Sequence, residues 1–213
     1  GGMANFFYFP ARRITPVVAA ADCGPGNSLS DLLAAKLFRL PYDRGGRLAQ
    51  AGKVSQRLLS LLLAEPFFRG DAVSTGREAF GSALVEKILV NGRRLRLSRH
   101  DIIATVAELT PVSVALAVRP FIQRDRTLRK LYLTGGGVHN RFFTRRLSEL
   151  LNGVTVDSIV SLGFDPDLVE ASAYAVMGEA ALRSETVPTR FGPSSNSLWR
   201  PVLGQIIQPP REE

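Results

Sequence analysis

Residues 130–151, KLYLTGGGVHNRFFTRRLSELL, constrain the fold more than any other stretch of the chain. Leu131, Tyr132 and Leu133 form a short apolar run with strand character. Gly135, Gly136 and Gly137 follow at once. From Asn140 a helical pattern sets Phe142, Phe143, Leu147, Leu150 and Leu151 on one face. Together these spell a strand, a turn of bare backbone and a helix. Glycine has no Cβ, so a flat ring or a phosphate can lie directly against such a turn. A helix start adds free N–H groups and a partial positive charge. The same run also serves as a tight connection with no ligand, and both readings stand at this point. Neither of the two common phosphate fingerprints is present. No GxGxxG follows a strand, and no lysine follows the glycines as a P-loop requires.

A second unit of this kind lies upstream. Residues 5–10 (NFFYFP) and 16–22 (PVVAAAD) read as the strands of a hairpin, with Arg12 and Arg13 between them. The second strand runs into Asp22-Cys23-Gly24-Pro25-Gly26-Asn27, where a proline between two glycines forces a turn. Asn27 or Ser28 is a fair N-cap for a helix carrying Leu29, Leu32, Leu33 and Leu37, which Pro41 stops. Two strand–turn–helix units in one chain point to two turns facing one ligand.

Between the two units, residues 42–46 (YDRGG) read as a loop, and Val54, Leu58, Leu61 and Leu62 mark a helix that Pro66 ends. Residues 66–82 are loop-like and contain STGRE at 74–78. A weaker helix is expected over 82–89, and Asn91-Gly92 should turn the chain. Ser98 with Asp101 forms a capping box, Asp standing in place of Glu. It opens a long helix through Ile102, Ile103, Val106, Leu109, Val114 and Ala117, which Pro111 should kink or split. After the triple glycine, residues 154–156 read as a short strand. Asp165-Pro166 is expected to start an Ala-rich helix over 166–182, with Leu168, Val169, Val176 and Met177 facing inward. Residues 202–207 (VLGQII) fit a last edge strand. Strands alternating with helices behind an antiparallel hairpin give an α/β pattern.

At 213 residues the chain can build one good core or two small ones. No apolar run approaches the roughly 20 residues that span a bilayer, and no signal peptide is visible, so no membrane partner is expected. The single cysteine, Cys23, rules out an internal disulfide and fits a cytoplasmic setting. The net charge of +8 permits an anionic partner. The basic residues cluster at 93–99, 124–130 and 141–146, without interleaved aromatics or zinc-finger spacing. Solvated helix faces explain them more simply than nucleic acid, which is not expected as a partner.

Several separated segments occur in a fixed order: GGMAN (1–5), DCGPGN (22–27) with Asp31, PYDRGG (41–46), STGRE (74–78), GGGVHN (135–140), DLVEA (167–171) and VLGQI (202–206). In these the chain resembles the C-terminal lobe of the anhydro-N-acetylmuramic acid kinase family, across nearly its whole length. The resemblance implies a ribonuclease H-like lobe with added helices, of the hexokinase, Hsp70 and actin superfamily, spanning residues 1–213. It implies ATP and Mg²⁺ as cofactors, a 1,6-anhydro sugar as substrate and a homodimer in the intact enzyme. It assigns Gly1 and Gly2 to a phosphate-binding hairpin turn with Asn5 behind it. Gly24, Gly26 and Asn27 would line the nucleotide cleft. Gly135, Gly136 and Gly137 would pack against adenosine, with Asn140 capping the helix beneath. Asp22 would hold a water on Mg²⁺, and equally reads as a strand-end carboxylate bonded to the turn. Glu170 would reach toward the sugar or the cleft, and equally reads as the exposed side of an Ala-rich helix.

The chain departs from the family's pattern in places. Cys23 stands where Thr is usual, which removes a hydroxyl, and is read as a small buried side chain. Gly45 replaces an Asp, and Pro111 lies in a helix that is normally unbroken. The tail at 191–199 differs. Two His and one Cys cannot build a dedicated metal site, so His139 is not expected to be a metal ligand. The lobe that would carry the general-base Asp and the other phosphate loop is not found in this sequence, so no catalytic residue is named and the chain alone is expected to be inactive. Two further readings remain open: a lobe of the related levoglucosan kinase, or a truncated, non-catalytic nucleotide-binding remnant.

Overall fold

A computed structural model describes residues 1–9, 19–69 and 79–185. The Arg12-Arg13 turn, the STGRE segment, the 191–199 tail and the 202–207 edge strand lie outside the described residues.

Strand β1 (Ala4–Tyr8) alternates half-buried and exposed residues, as a strand covered on one face must. It pairs antiparallel with β2 (Ala19–Gly24), Asn5 opposite Asp22 and Phe6 opposite Ala21. The expected hairpin is present, its second strand running on to Gly24 rather than ending at Asp22. Helix α1 (Ser28–Phe38) follows the Gly-Pro-Gly corner and buries Leu29, Leu33 and Ala34. It stops at Arg39, which takes a left-handed conformation (φ 59°) two residues before Pro41. A short 3₁₀ turn at Arg44–Gly46 leads into α2 (Arg47–Gln50) and then α3 (Gln56–Leu63).

Helix α4 runs from Ser82 to Arg94, through the dipeptide expected to turn the chain. Gly92 serves packing instead. A Cβ there would stand 2.6 Å from Ile102 Cδ1, so only glycine lets the next helix come this close. That helix, α5 (Arg99–Arg124), is the axis of the fold. Its expected capping box is formed: Ser98 Oγ accepts from Asp101 N–H at 3.1 Å, and Asp101 Oδ2 accepts from Ser98 N–H at 3.3 Å. Of the two outcomes expected at Pro111, a kink or a split, the split does not occur, and Pro120 lies inside the helix as well. Pro111 is fully buried. The packing of α5 against α1, α2, α3 and the hairpin offsets the roughly 3 kcal/mol that an interior proline costs. Helix α5 is also the one helix among the described residues long and apolar enough to cross a membrane. The reading that no apolar segment has that length is corrected here; most of its apolar window is covered by the rest of the fold.

Two parallel strands, β3 (Lys130–Leu133) and β4 (Thr155–Ser158), flank α6 (Arg141–Leu150) in a β-α-β unit, Leu131 in register with Val156. Among the described residues the strands form two separate two-stranded sheets within a mixed α/β fold. One core joins α1, α3, α4 and α5 through Leu29, Leu33, Leu58, Ile88, Ile103 and Leu109. A second joins α5, α6 and the parallel pair through Ala115, Val118, Leu147, Leu151 and Val154. Each fully buried Leu or Ile contributes roughly 1.5–3 kcal/mol.

Helix α7 (Val169–Leu182) differs from expectation at both its start and its faces. It begins three residues after Pro166, because Asp165 Oδ1 accepts from Asp167 N–H at 2.9 Å and holds a turn there. No residue of α7 is buried, and Leu168, Val176 and Tyr174 are each more than half exposed. An apolar composition all round suggests an interior helix; of the four residues expected to face inward, Val169 and Met177 are half-buried and Leu168 and Val176 are exposed.

Candidate functional site

The two glycine turns meet. Asn27 and Ser28, at the start of α1, donate their N–H groups to the carbonyls of Gly1 and Gly2, both at 3.1 Å. Gly26 has φ +54°, and a Cβ on it would stand 2.8 Å from each of those carbonyl oxygens. Only glycine lets the two segments close this tightly. Thr110 Oγ1 on α5 donates to Gly26 O at 2.8 Å and pins the corner from beneath. From the other side, a Cβ on Gly135 would lie 3.1 Å from Gly1 N, and Cβ atoms on Gly136 or Gly137 would each lie 4.0 Å from Asn27 Nδ2. Gly1, Gly2, Gly26, Asn27 and Gly135 to Gly137 therefore form one cluster.

Helix α6 holds its side of the cluster through Asn140. This residue is 5% exposed, and its Oδ1 accepts from Phe142 N–H at 3.1 Å and Phe143 N–H at 3.4 Å. The expected cap is thus present, and it changes one expectation. Asn140 takes the N–H groups of Phe142 and Phe143 in the first turn of α6, and Gly1 and Gly2 take those of Asn27 and Ser28 at the start of α1, so these four donors are not free for a ligand. In the turn itself, among the described residues, no acceptor faces Gly136 N–H or Gly137 N–H. Gly135 N–H and Thr134 Oγ1 both donate to Pro166 O, at 2.9 and 3.1 Å, which moors the segment before α7 to the turn. His139 Nε2 lies 2.9 Å from Asp167 Oδ2 and adds to that mooring.

An open cleft of about 750 Å³ lies beside the cluster. Asn27, Gly136 and Asn140 line it, together with Asp31, Tyr42 and Arg44. Arg47, Gln50, His139 and Arg141 complete its charged and polar walls. Asp43 is buried at the floor and committed to structure: Oδ1 accepts from Leu48 N–H at 2.8 Å and Oδ2 from Ala49 N–H at 3.0 Å, capping α2. Gly46 (φ +72°) must be glycine, because a Cβ there would meet Asn140 Oδ1 at 2.3 Å. Burial pushes the Asp31 carboxyl up to about 6, with repulsion from Asp43 adding to it.

The remaining expected residues sit outside the cleft wall. Gly24 is buried, and a Cβ there would stand 2.1 Å from Ser113 Oγ, so the close approach of α5 explains this glycine without a ligand. Asn5 and Asp22 face each other on the exposed side of the hairpin. Glu170 is exposed in the first turn of α7, near enough to Gly1 for its charge to act there, as do those of Asp167 and Asp31. Cys23 is 3% exposed, and burial, with Asp22 nearby, pushes its thiol up to about 12. It is the small buried side chain expected. Among the described residues no group of three or more His, Cys, Asp or Glu could hold a metal ion.

Sequence reasoning overlooked Tyr42, Arg44, Arg47, Gln50 and Arg141 as wall residues. The YDRGG segment was visible, but nothing local shows that α2 folds it back against Asn140. Comparison with known proteins matches residues 1–208 to the family described as anhydro-N-acetylmuramic acid kinase. A protein of that name from Salinibacter ruber is 35% identical over 210 residues, 98% of this chain and 52% of the relative. One from Hahella chejuensis is 37% identical over 207 residues, 97% of this chain and 53% of the relative. One from Caldanaerobacter subterraneus is 32% identical over 212 residues. The chain spans about half the length of the curated relatives it matches.

Proposed function

Because the chain belongs to the anhydro-N-acetylmuramic acid kinase family, we propose that it is the nucleotide-binding C-terminal lobe of such a kinase, with ribonuclease H-like topology. In the complete enzyme, water attacks C1 of 1,6-anhydro-N-acetylmuramic acid and gives its proton to a general base, the C1–O6 bond breaks, and O6 takes the γ-phosphoryl group of ATP as ADP leaves. The product is N-acetylmuramic acid 6-phosphate, formed in the cytoplasm during cell-wall recycling. The general base belongs to the half of the relatives that this chain does not match. Phosphoryl transfer depends on positioning and on charge stabilisation from several sides, so the chain alone binds nucleotide without turnover. A homodimer is the assembly proposed for the complete enzyme.

One observation carries the reading: two glycine turns, far apart in sequence, converge beside an open cleft that Gly136 lines, and neither Gly136 N–H nor Gly137 N–H has an acceptor among the described residues. Gly136 and Gly137 donate to the ligand there, while Gly1 and Gly2, with open space where a side chain would stand, leave room for phosphates. Asp22 would hold Mg²⁺ through a bound water. A single exposed carboxylate fits an ion carried mainly by phosphates and waters. Mg²⁺ supplies charge neutralisation on the phosphates when bound.

Calorimetry with ATP and Mg²⁺ tests this on the wild type and Gly136→Val. A Cβ at Gly136 meets only Asn27 Nδ2, at ordinary contact distance. The variant therefore folds, as circular dichroism checks, while its side chain fills the place proposed for the nucleotide. Binding that is lost supports the assignment; unchanged binding overturns it.

A further inference from the structure

Asp31 stands apart from the other carboxylates around the cleft. Asp43 caps α2, and Asp167 pairs with His139. Asp31 lines the cleft one helical turn beyond Asn27, on the same face of α1. Its carboxylate has no hydrogen-bond or ion-pair partner among the described residues. The titratable and charged groups that line the same cleft are Asp43, Arg44, Arg47, His139 and Arg141. The fold thus holds a half-buried carboxylate without using it, and keeping that group charged is unfavourable.

We propose that Asp31 accepts hydrogen bonds from the ribose hydroxyls of the bound nucleotide and so fixes which way round the ligand lies. The proposal rests on the nucleotide reading above. A carboxylate is an acceptor only, and a vicinal diol offers two donors to it. Placed directly against a polyphosphate, the same carboxylate would be repelled. The phosphates therefore lie on the far side of Asn27, toward Gly1, Gly2 and the free N–H groups of Gly136 and Gly137. Helix α1 sets the spacing, since Asn27 and Asp31 are about 6 Å apart along its axis. The base then extends toward Tyr42 and Arg44, whose flat groups can stack on it.

Calorimetry at pH 7.5 with ATP, 2′,3′-dideoxy-ATP and inorganic tripolyphosphate, each with Mg²⁺, tests the assignment on the wild type and Asp31→Ala. Wild type should bind ATP about tenfold more tightly than the dideoxy analogue, the loss expected for charge-assisted hydrogen bonds. In Asp31→Ala the two nucleotides should bind alike, with tripolyphosphate affinity unchanged. Equal binding of ATP and dideoxy-ATP by the wild type overturns the ribose assignment, and needs no variant to fold. A variant that weakens all three ligands equally also overturns it, placing Asp31 at the phosphates or their metal ion. Failure of the nucleotide reading is separately visible, because the wild type would then bind none of the three.

Discussion

Replacing Arg146 by Ala should unfasten α6 from α5. Arg146 donates from Nε to Glu108 Oε2 at 2.8 Å and from Nη2 to Glu108 Oε1 at 2.7 Å, a two-pronged contact. The Glu108 side chain is 4% exposed and that of Arg146 is 29% exposed. Removing the cation leaves a buried carboxylate without its partner, which costs about 3–5 kcal/mol in a closed interior. Arg146 lies at the edge, so water enters the vacated space, and a value of about 3 kcal/mol is expected. For a chain of this size that lowers Tm by roughly 6–12 °C. Glu108→Leu with Arg146→Leu should recover most of the loss, because an apolar pair leaves no unsatisfied charge. Urea denaturation at pH 7 of wild type, single and double variants measures all three. A loss under about 1 kcal/mol in Arg146→Ala would show the pair to be solvated. A double variant as unstable as the single one would show that lost packing, not the uncompensated carboxylate, sets the cost. The contact matters to the site because α6 carries Asn140 and, through it, the triple-glycine turn.

Asp31→Asn should make the protein more stable at neutral pH and no different near pH 4. Its carboxyl is raised from 3.8 to about 6. The folded state therefore keeps a proton that the unfolded chain has lost, and wild-type stability falls as pH rises through that window. The shift corresponds to at most about 3 kcal/mol, and solvent in an open cleft reduces this to about 1 kcal/mol. Denaturation midpoints at pH 4 and pH 8 check it, and a variant less stable than wild type at pH 8 would refute it. Cys23, buried and with its thiol pushed up to about 12, should react with a thiol reagent at pH 8 at least about a hundredfold more slowly in the native chain than in urea. Equal rates would mean that the hairpin opens freely.

Local chemistry made much of the site legible. The period-two hairpin, the Gly-Pro-Gly corner, the Ser98 capping box and the Asn140 cap each follow from residue types at fixed spacing. Pro111 and Asn91-Gly92 misled because tertiary contacts outweighed local preference. Pro111 is buried in an axis held on several sides, and Gly92 is bare so that Ile102 can approach. Helix α7 misled in the opposite way: its composition is that of an interior helix, yet none of its residues is buried. The cleft walls were invisible because Asp31, Arg47 and Arg141 are ordinary surface charges until α1, α2 and α6 bring them together. The unpaired donors of Gly136 and Gly137 are seen only in the fold, because the sequence does not show which backbone groups find acceptors.

Amide chemical-shift mapping of the 213-residue chain with Mg²⁺ and ATP tests the central claim most directly. The account predicts that Gly2, Gly26 and Asn27 shift together with Gly136 and Gly137, along one saturation curve. Shifts confined to one turn, with the other silent at saturation, would contradict a nucleotide held by both.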